Sequence, residues 1–174
     1  MRRIAIVGPE SSGKTTLALE LSERLGAAAV PEAARAFLTG LGRPYAEADL
    51  LTIAKLQVER EELEADASGR SGSGLLLCDT DLLTIRIWSE EKFGRCDPWI
   101  VAECERRRYD LWLLCRPDIP WEPDPLRENP HDRERLFVAY ASRLQRLARP
   151  FRIIEGTLEQ RLATAWAAIL QLPD

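Results

Sequence analysis

Residues 8–15 combine glycines, hydroxyls and one lysine at the spacing that binds a polyphosphate. They read GPESSGKT, match the pattern G-x-x-x-x-G-K-[ST], and follow the apolar run at residues 4–7. Glycines allow successive backbone N–H groups to point at one anion, and the N-terminus of the following helix adds a positive dipole. Lys14 is predicted to reach the outer phosphates, and Thr15 to bind Mg²⁺. This P-loop predicts an ATP site made of Gly8, Glu10, Ser11, Ser12, Gly13, Lys14, Thr15 and Thr16.

A second acidic element follows the apolar run at residues 75–78. Asp79 comes directly after this run, where a strand-end carboxylate can hold Mg²⁺ or its bound water. If the two strands are neighbours, Asp79 lies beside Thr15. For Asp81, capping of the next helix and contact with substrate are both open.

A carboxylate and a guanidinium stand three residues apart, at Glu32 and Arg35, where a helix is predicted to begin. This spacing places them on one helix face. Glu32 could accept the proton of an attacking hydroxyl, and Asp79 is the competing base. The structural alternative is an acid that the helix dipole stabilises and that pairs with Arg35.

A proline-rich segment at residues 117–135 follows the apolar run at 111–115. Phosphoryl transfer develops negative charge on the transferred group, and enzymes of this kind commonly close arginines over it. Arg127 and Arg133 are predicted to contact the phosphates, and Arg135 is a further candidate. The segment is predicted to act as a lid that excludes water, with His131 on the surface at a helix start.

The five tryptophans divide into two groups. Trp112 and Trp166 are predicted to lie in the core. Trp88 and Trp121 fall near the predicted site, where each could stack on a flat ring of a substrate or simply pack.

Five short apolar runs alternate with segments of helical periodicity. Runs buried on both faces are typical of parallel strands, and their alternation with helices predicts a sheet covered on both sides. We therefore expect an α/β, three-layer P-loop NTPase fold with a five-stranded parallel sheet. The runs are residues 3–7, 27–31, 75–78, 111–115 and 151–154, and helices are predicted around 17–25, 50–61, 97–108, 131–148 and 157–171.

Composition limits the partners and the number of domains. With 174 residues, of which 45% are hydrophobic, the chain is predicted to form one domain over residues 1–174. The net charge of −4 disfavours nucleic acid and favours a small-molecule substrate. The four cysteines form no C-x-x-C pair, and Cys78 and Cys115 are expected to be buried thiols. With no secretion signal or membrane span evident, a cytoplasmic location is expected.

Several segments together resemble the ribosylnicotinamide kinase domain of NadR-type proteins and their single-domain ATPase relatives. They are GPESSGKTTLA, PEAAR, LCDTDLLT, YDLWLLCRPDIPW and DPLR, and the likeness spans nearly the whole chain. The resemblance implies that ATP and Mg²⁺ bind at Lys14 and Thr15 and that lid arginines such as Arg127 contact phosphates. It also implies that Glu32, Asp79 and Asp81 face the acceptor.

One departure concerns the acceptor. Family kinases that accept nicotinamide riboside can carry an aromatic residue just before the E-x-x-R carboxylate, where this chain has Pro31. The resemblance implies only the kinase step, in which the γ-phosphoryl of ATP passes to a nucleoside 5′-hydroxyl, with nicotinamide riboside as the leading acceptor. A kinase for another nucleoside or metabolite, and a nucleotide-dependent ATPase switch, are the alternatives.

Overall fold

The computed structural model describes residues 1–68, 73–124 and 131–173, which form five strands and seven helices. The strands are β1 (Arg2–Val7), β2 (Ala28–Val30), β3 (Leu75–Asp79), β4 (Leu111–Cys115) and β5 (Phe151–Ile154). The helices are α1 (Lys14–Leu25), α2 (Ala33–Thr39), α3 (Glu47–Ser68), α4 (Leu82–Phe93), α5 (Pro98–Arg106), α6 (Arg133–Arg146) and α7 (Leu158–Leu170).

All five strands are parallel, in the order β2-β3-β1-β4-β5. The central position of β1 explains why its four last residues are fully buried, whereas the edge strands β2 and β5 are partly exposed. In parallel sheets, ligands bind beyond the carboxyl ends of the strands. The carboxyl ends of β1, β2 and β3 therefore bring the P-loop, Glu32 and Asp79 to the same edge of the sheet.

Side chains of β1 alternate between two cores, one on each face of the sheet. Ile4 and Ile6 pack with α1 and α7, whereas Ala5 and Val7 pack with the larger group of helices that includes α3, α4 and α6. The three-layer α/β architecture predicted from the alternating pattern is confirmed.

Two expectations about single side chains have opposite outcomes. Trp112 is buried in the core, as predicted, but the prediction for Trp166 was wrong, since that residue is 36% exposed. Helix α7 turns Leu162, Ala165 and Ile169 toward the sheet, and this leaves Trp166 at the margin of the buried stripe. Cys78 and Cys115 are buried free thiols, as expected.

Within the residues that the structure describes, no helix is both long and apolar enough to cross a bilayer.

Candidate functional site

Two glycines give the P-loop its shape. Gly8 has φ 145°, and a Cβ there would lie 2.5 Å from the carbonyl oxygen of Cys115, so only glycine fits between β1 and β4. Gly13 has φ 81° and stands at the N-cap position of α1, a left-handed conformation that glycine adopts without strain. The chain thereby winds into a loop whose end is the N-terminus of α1.

Hydrogen bonds within the loop hold it closed. The Ser12 hydroxyl donates to the carbonyl of Pro9 at 2.8 Å, and Lys14 Nζ donates to the carbonyls of Gly8 and Pro9 at 3.0 and 2.8 Å. Lys14 therefore arches over the loop with its ammonium group on the side that would receive phosphate.

Arg161, on α7, supports the P-loop, and no local sequence pattern marks it as a functional residue. Its guanidinium donates to the carbonyl oxygens of Ser12 at 2.8 Å, Gly156 at 2.9 Å and Arg116 at 2.9 Å, and it pairs with Asp118. The residue is 3% exposed. Helix α7 is thus fastened to the loops that follow β1 and β4.

Thr15 and Asp79 meet as the strand order requires. Thr15 Oγ1 donates to Asp79 Oδ2 at 2.6 Å, which confirms the predicted neighbourhood of these residues. Burial raises the pKa of Asp79, and the hydrogen bond from Thr15 and the charge of Lys14 oppose that shift.

The same two residues suit a divalent cation. Asp79 Oδ1 is buried and has no hydrogen-bond partner in the described part of the chain, so one carboxylate oxygen is left uncompensated beside a hydroxyl. Mg²⁺ prefers such hard oxygen ligands and usually takes only one or two of them from protein, with phosphate and water completing its shell. Among the described residues, no group of three or more His, Cys, Asp or Glu side chains could hold a metal ion.

Glu32 is the N-cap residue of α2 and lines the same cavity as the P-loop. Its side chain makes no capping hydrogen bond, so the helix does not consume the carboxylate. Burial raises the pKa of Glu32, the charge of Lys14 lowers it, and the nearby Asp79 carboxylate raises it again. A carboxyl group with a raised pKa is suited to proton transfer near neutral pH.

Arg35 takes a different partner from the one considered above. Its Nη1 lies 2.9 Å from Asp124 Oδ2 in a salt bridge that joins α2 to the proline-rich segment. The ion pair with Glu32, which is the structural alternative to a role for Glu32 in proton transfer, is not the one that forms. Arg35 nevertheless lines the cavity, one turn beyond Glu32.

The cavity has a volume of about 260 Å³, and its lining residues come from two groups of elements, which we call its two halves. The P-loop lines one half, while the other lies between α2 on one side and α4 and α6 on the other. Trp88 lies in this second half, where its Nε1 donates to the Tyr45 hydroxyl at 2.7 Å and its ring meets that of Tyr45 edge-on, with centroids 5.0 Å apart. Further contributors to the second half are Ala34, Leu38, Thr84, Ile87, Glu91, Leu136 and Tyr140.

Asp81 lies in the interior rather than along the cavity. Its Oδ1 accepts from the backbone N–H of Thr84 at 3.2 Å, and its Oδ2 accepts from Trp112 Nε1 at 2.8 Å. The capping interpretation is confirmed, and substrate contact finds no geometric support because both oxygens have internal partners. Burial raises the pKa of Asp81 to about 6.

The proline-rich segment docks on the P-loop. Ser11 Oγ accepts from the backbone N–H of Glu122 at 3.0 Å, and Arg133 Nη1 donates to the carbonyls of Ser11 and Ile119 at 3.1 and 3.0 Å. Arg133 therefore touches the P-loop backbone, near the place predicted for it. Arg135 instead pairs with Glu91 and Asp132, and His131 is an exposed residue just before α6. Arg127 lies outside the described residues.

The fold and the P-loop define a nucleotide-binding protein of the P-loop class. Residues 3–161 match the model of a family described as an AAA domain, and the chain belongs to that family.

Among curated proteins, the chain is 26% identical over 133 residues to the trifunctional NAD biosynthesis/regulator protein NadR of Salmonella typhimurium, and equally to that of Escherichia coli. These matches cover 73% of this chain and 31% of the relatives, so the chain spans about a third of their length. The resemblance to NadR-type proteins stated from the motifs is confirmed.

Solved structures share the fold. A NadR protein in complex with NR superposes with a TM-score of 0.84 at 21% identity, covering 98% of this chain and 51% of that one. A NadR protein in complex with NAD and AMP-PNP gives a TM-score of 0.78 at 19% identity, covering 98% and 49%. Thymidylate kinase from Ehrlichia chaffeensis gives 0.70 at 14% identity, covering 98% of both chains.

Proposed function

We propose that the chain is an ATP-dependent kinase that phosphorylates the 5′-hydroxyl of a nucleoside, with nicotinamide riboside as the leading acceptor. The observation that carries the proposal is the single cavity lined by both the P-loop and the Glu32 carboxylate. Direct phosphoryl transfer requires that the phosphate donor and the acceptor bind side by side next to a base. The two halves of this cavity, which meet at Glu32, provide that arrangement. The NadR relatives, one of them solved with NR and one with AMP-PNP, support this choice of substrates.

In the donor half, the P-loop amides and Lys14 would hold the β- and γ-phosphates of ATP. Thr15 and Asp79 would hold Mg²⁺, which would neutralise charge on the phosphate oxygens when bound. Arg133, which already contacts the Ser11 carbonyl, would reach the phosphates from the proline-rich segment. Arg127 is proposed for the same task from its sequence position in that segment and from the family resemblance.

In the acceptor half, Glu32 would accept the proton of the attacking hydroxyl, and Arg35 would help to orient the acceptor. Asp79 remains the alternative base, although its bond with Thr15 commits one of its oxygens. Trp88 would contact the flat ring of the acceptor, since its side chain is held in place by Tyr45 at the cavity wall.

The test is ADP formation measured with Mg-ATP across a panel of nucleosides that includes nicotinamide riboside. Stimulation by one acceptor, together with its 5′-phosphate as product, is expected. Replacement of Lys14 by alanine should lower the turnover by on the order of 100-fold or more while the fold is kept. Stimulation by a different nucleoside would show that nicotinamide riboside is not the acceptor. Pro31 is a reason to test this, because family kinases that accept nicotinamide riboside can carry an aromatic residue at that position.

A nucleotide-dependent switch is the second candidate, because the Ser11 hydroxyl and carbonyl contact the proline-rich segment directly. Nucleotide binding at the P-loop would then change the conformation of residues 117–124 without any acceptor. Slow ATP hydrolysis that no nucleoside accelerates, with nucleotide-dependent binding of a protein partner, would favour this function over the kinase.

A further inference from the structure

A buried glutamine joins the two chain segments that carry the candidate carboxylates, the start of α2 and the end of β3. Gln57 lies on α3, is 1% exposed and does not line the cavity. Its Oε1 accepts from the backbone N–H of Ala33 at 2.9 Å, and its Nε2 donates to Glu61 Oε1 at 3.2 Å and to the Thr80 carbonyl at 3.5 Å. Ala33 follows Glu32 and Thr80 follows Asp79, so one side chain reaches the backbone beside each carboxylate.

The orientation of this amide group is fixed by its partners. Glu61 Oε1 and the Thr80 carbonyl can only accept, whereas the Ala33 N–H can only donate. Nε2 must therefore face the first two groups and Oε1 the third. No other side chain of the same size satisfies all three partners, because a carboxylate lacks the donor and an apolar chain lacks both.

On the Glu32 side, Gln57 satisfies a backbone N–H in the first turn of α2. The first backbone N–H groups of a helix have no intrahelical partner, and the N-cap side chain normally satisfies one of them. At α2 the Glu32 side chain makes no such bond, and Gln57 satisfies the Ala33 N–H from another helix. The helix start is thereby held while the Glu32 carboxylate stays available to the cavity.

On the Asp79 side, Gln57 contacts a strained residue. Thr80 has φ 86°, an unfavourable value for a β-branched residue, and it is 2% exposed. Such a conformation persists only where the surroundings hold it. The Thr80 N–H donates to the Ile6 carbonyl at 3.0 Å, and Gln57 holds the carbonyl at the other end of the residue.

Glu61 anchors the glutamine in turn. Arg107 Nη2 and the Tyr109 hydroxyl donate to Glu61 Oε2 at 2.9 and 2.8 Å, and Glu61 is fully buried. Burial raises the pKa of Glu61, and Arg107 and Tyr109 oppose that shift. A chain of defined bonds therefore runs from the interior of the protein through Gln57 to both loops.

We propose that Gln57 is a positioning residue that sets the distance between the Glu32 and Asp79 carboxylates for phosphoryl transfer. This inference rests on the proposed kinase function. Gln57 acts only through the backbone next to each carboxylate. Its loss should therefore lower kcat and leave nucleotide binding intact, since the P-loop does not depend on it.

The test compares Gln57→Met, which keeps the length of the side chain, with Ile169→Ala in the core on the opposite face of the sheet. Both variants should lower Tm. Only Gln57→Met should lower kcat for nicotinamide riboside phosphorylation, by roughly 10- to 100-fold, with the Kd of Mg-ATP within about threefold of the parent. A kcat within about twofold of that of Ile169→Ala at matched Tm loss would overturn the proposal.

Gln57→Glu provides a second test of the proposal if the methionine variant does not fold. Burial next to Glu61 should raise the pKa of the introduced carboxyl. Its protonated form restores the acceptor and one of the two donated hydrogen bonds of the amide, whereas the ionised form restores no donor. The ratio of variant kcat to parent kcat should therefore rise as the pH falls. A ratio that stays near one while the introduced carboxyl ionises, with the ionisation followed by its carboxylate infrared band, would contradict the positioning role.

Failure of the kinase function can be told apart from failure of this inference. A parent protein that phosphorylates no nucleoside refutes the kinase, and amide hydrogen exchange then decides the role of Gln57. Protection of the Ala33 N–H should be lost in Gln57→Met and kept in Gln57→Glu. Equal protection in the parent and both variants would show that Gln57 does not hold the start of α2.

Discussion

The hydroxyl of Thr15 lies 2.6 Å from one carboxylate oxygen of Asp79 and joins the first turn of α1 to the end of β3. The second oxygen of Asp79 is buried without a partner in the described part of the chain. An unsatisfied buried carboxylate oxygen is costly, and a divalent cation would relieve that cost. The strand order thus places together two residues that could bind the cation that the proposed reaction needs.

Replacing Asp79 by asparagine should weaken the dependence of turnover on Mg²⁺. The amide keeps the size of the side chain and an acceptor for Thr15, but it removes the negative charge that a cation needs. We expect the Mg²⁺ concentration for half-maximal activity to rise by about 10- to 100-fold, measured at fixed ATP. Asp66→Asn, on α3 and away from the cavity, is the matched control, and an equal Mg²⁺ response in both variants would remove Asp79 from the metal site.

Replacing Glu32 by glutamine should abolish the acid limb of the pH profile for nucleoside phosphorylation. A base must be ionised, so the activity of the parent should rise with pH through the pKa of Glu32, which burial shifts upward. The variant should retain Mg-ATP affinity and lose on the order of 10²- to 10⁴-fold in kcat. Glu59→Gln, at an exposed position on α3, is the control.

The two results together identify the base. If Glu32→Gln keeps the acid limb while Asp79→Asn removes it, Asp79 takes the proton and Glu32 only orients the acceptor. The reverse outcome assigns the proton to Glu32.

Replacing Gly8 by alanine should destroy the nucleotide site. The added Cβ would lie 2.5 Å from the Cys115 carbonyl, at a φ of 145° that only glycine adopts readily. Mg-ATP binding measured by calorimetry should be lost, and Tm should fall. Gly42→Ala is the control because Gly42 has φ 65° and no atom within 4 Å of the built Cβ, so it isolates backbone strain from the clash. Undiminished binding by Gly8→Ala would contradict the observed approach of β4 to the P-loop.

The sequence predicts this fold well because its strong signals are local. Buried strands such as Leu111–Cys115 are continuous apolar runs, and the P-loop pattern fixes the strand before it and the helix after it. The contact between Thr15 and Asp79 could be expected because the carboxyl ends of neighbouring parallel strands share an edge. Asp81 could not be assigned in advance, since a cap and a ligand require the same residue type at the same place.

What the sequence does not show is the support behind the site. Arg161 lies 149 positions from Ser12, whose carbonyl it contacts, and no local pattern marks an arginine that is buried. Gln57 looks like any polar position on a long helix. Such residues are defined by tertiary packing, which places distant segments side by side.

Replacing Arg161 by lysine should loosen the P-loop without removing the charge. A lysine cannot span the three carbonyl oxygens that the planar guanidinium reaches, so buried acceptors are left without a donor. We expect a loss of about 1–3 kcal/mol in the free energy of unfolding, measured by chemical denaturation, and weaker Mg-ATP binding. Arg152→Lys, at an exposed position on β5, should change neither quantity.

A variant that lacks the salt bridge between Arg35 and Asp124 should show whether the protein acts as a kinase or as a nucleotide-dependent switch. The pair joins α2, which lines the acceptor half of the cavity, to Asp124 in the proline-rich segment. Because the Arg35 side chain is 52% exposed, the bond itself stabilises the fold by at most about 1 kcal/mol. Asp124→Asn should therefore leave Tm nearly unchanged.

In a kinase, the KM of the acceptor should rise several-fold in this variant because Arg35 loses the partner that orients it, whereas basal ATP hydrolysis should not change. In a switch, the variant should instead alter the rate of ATP hydrolysis without any nucleoside present, because the proline-rich segment contacts the P-loop at Ser11. An acceptor KM and a basal hydrolysis rate that both equal those of the parent would show that the Arg35–Asp124 pair contributes to neither activity.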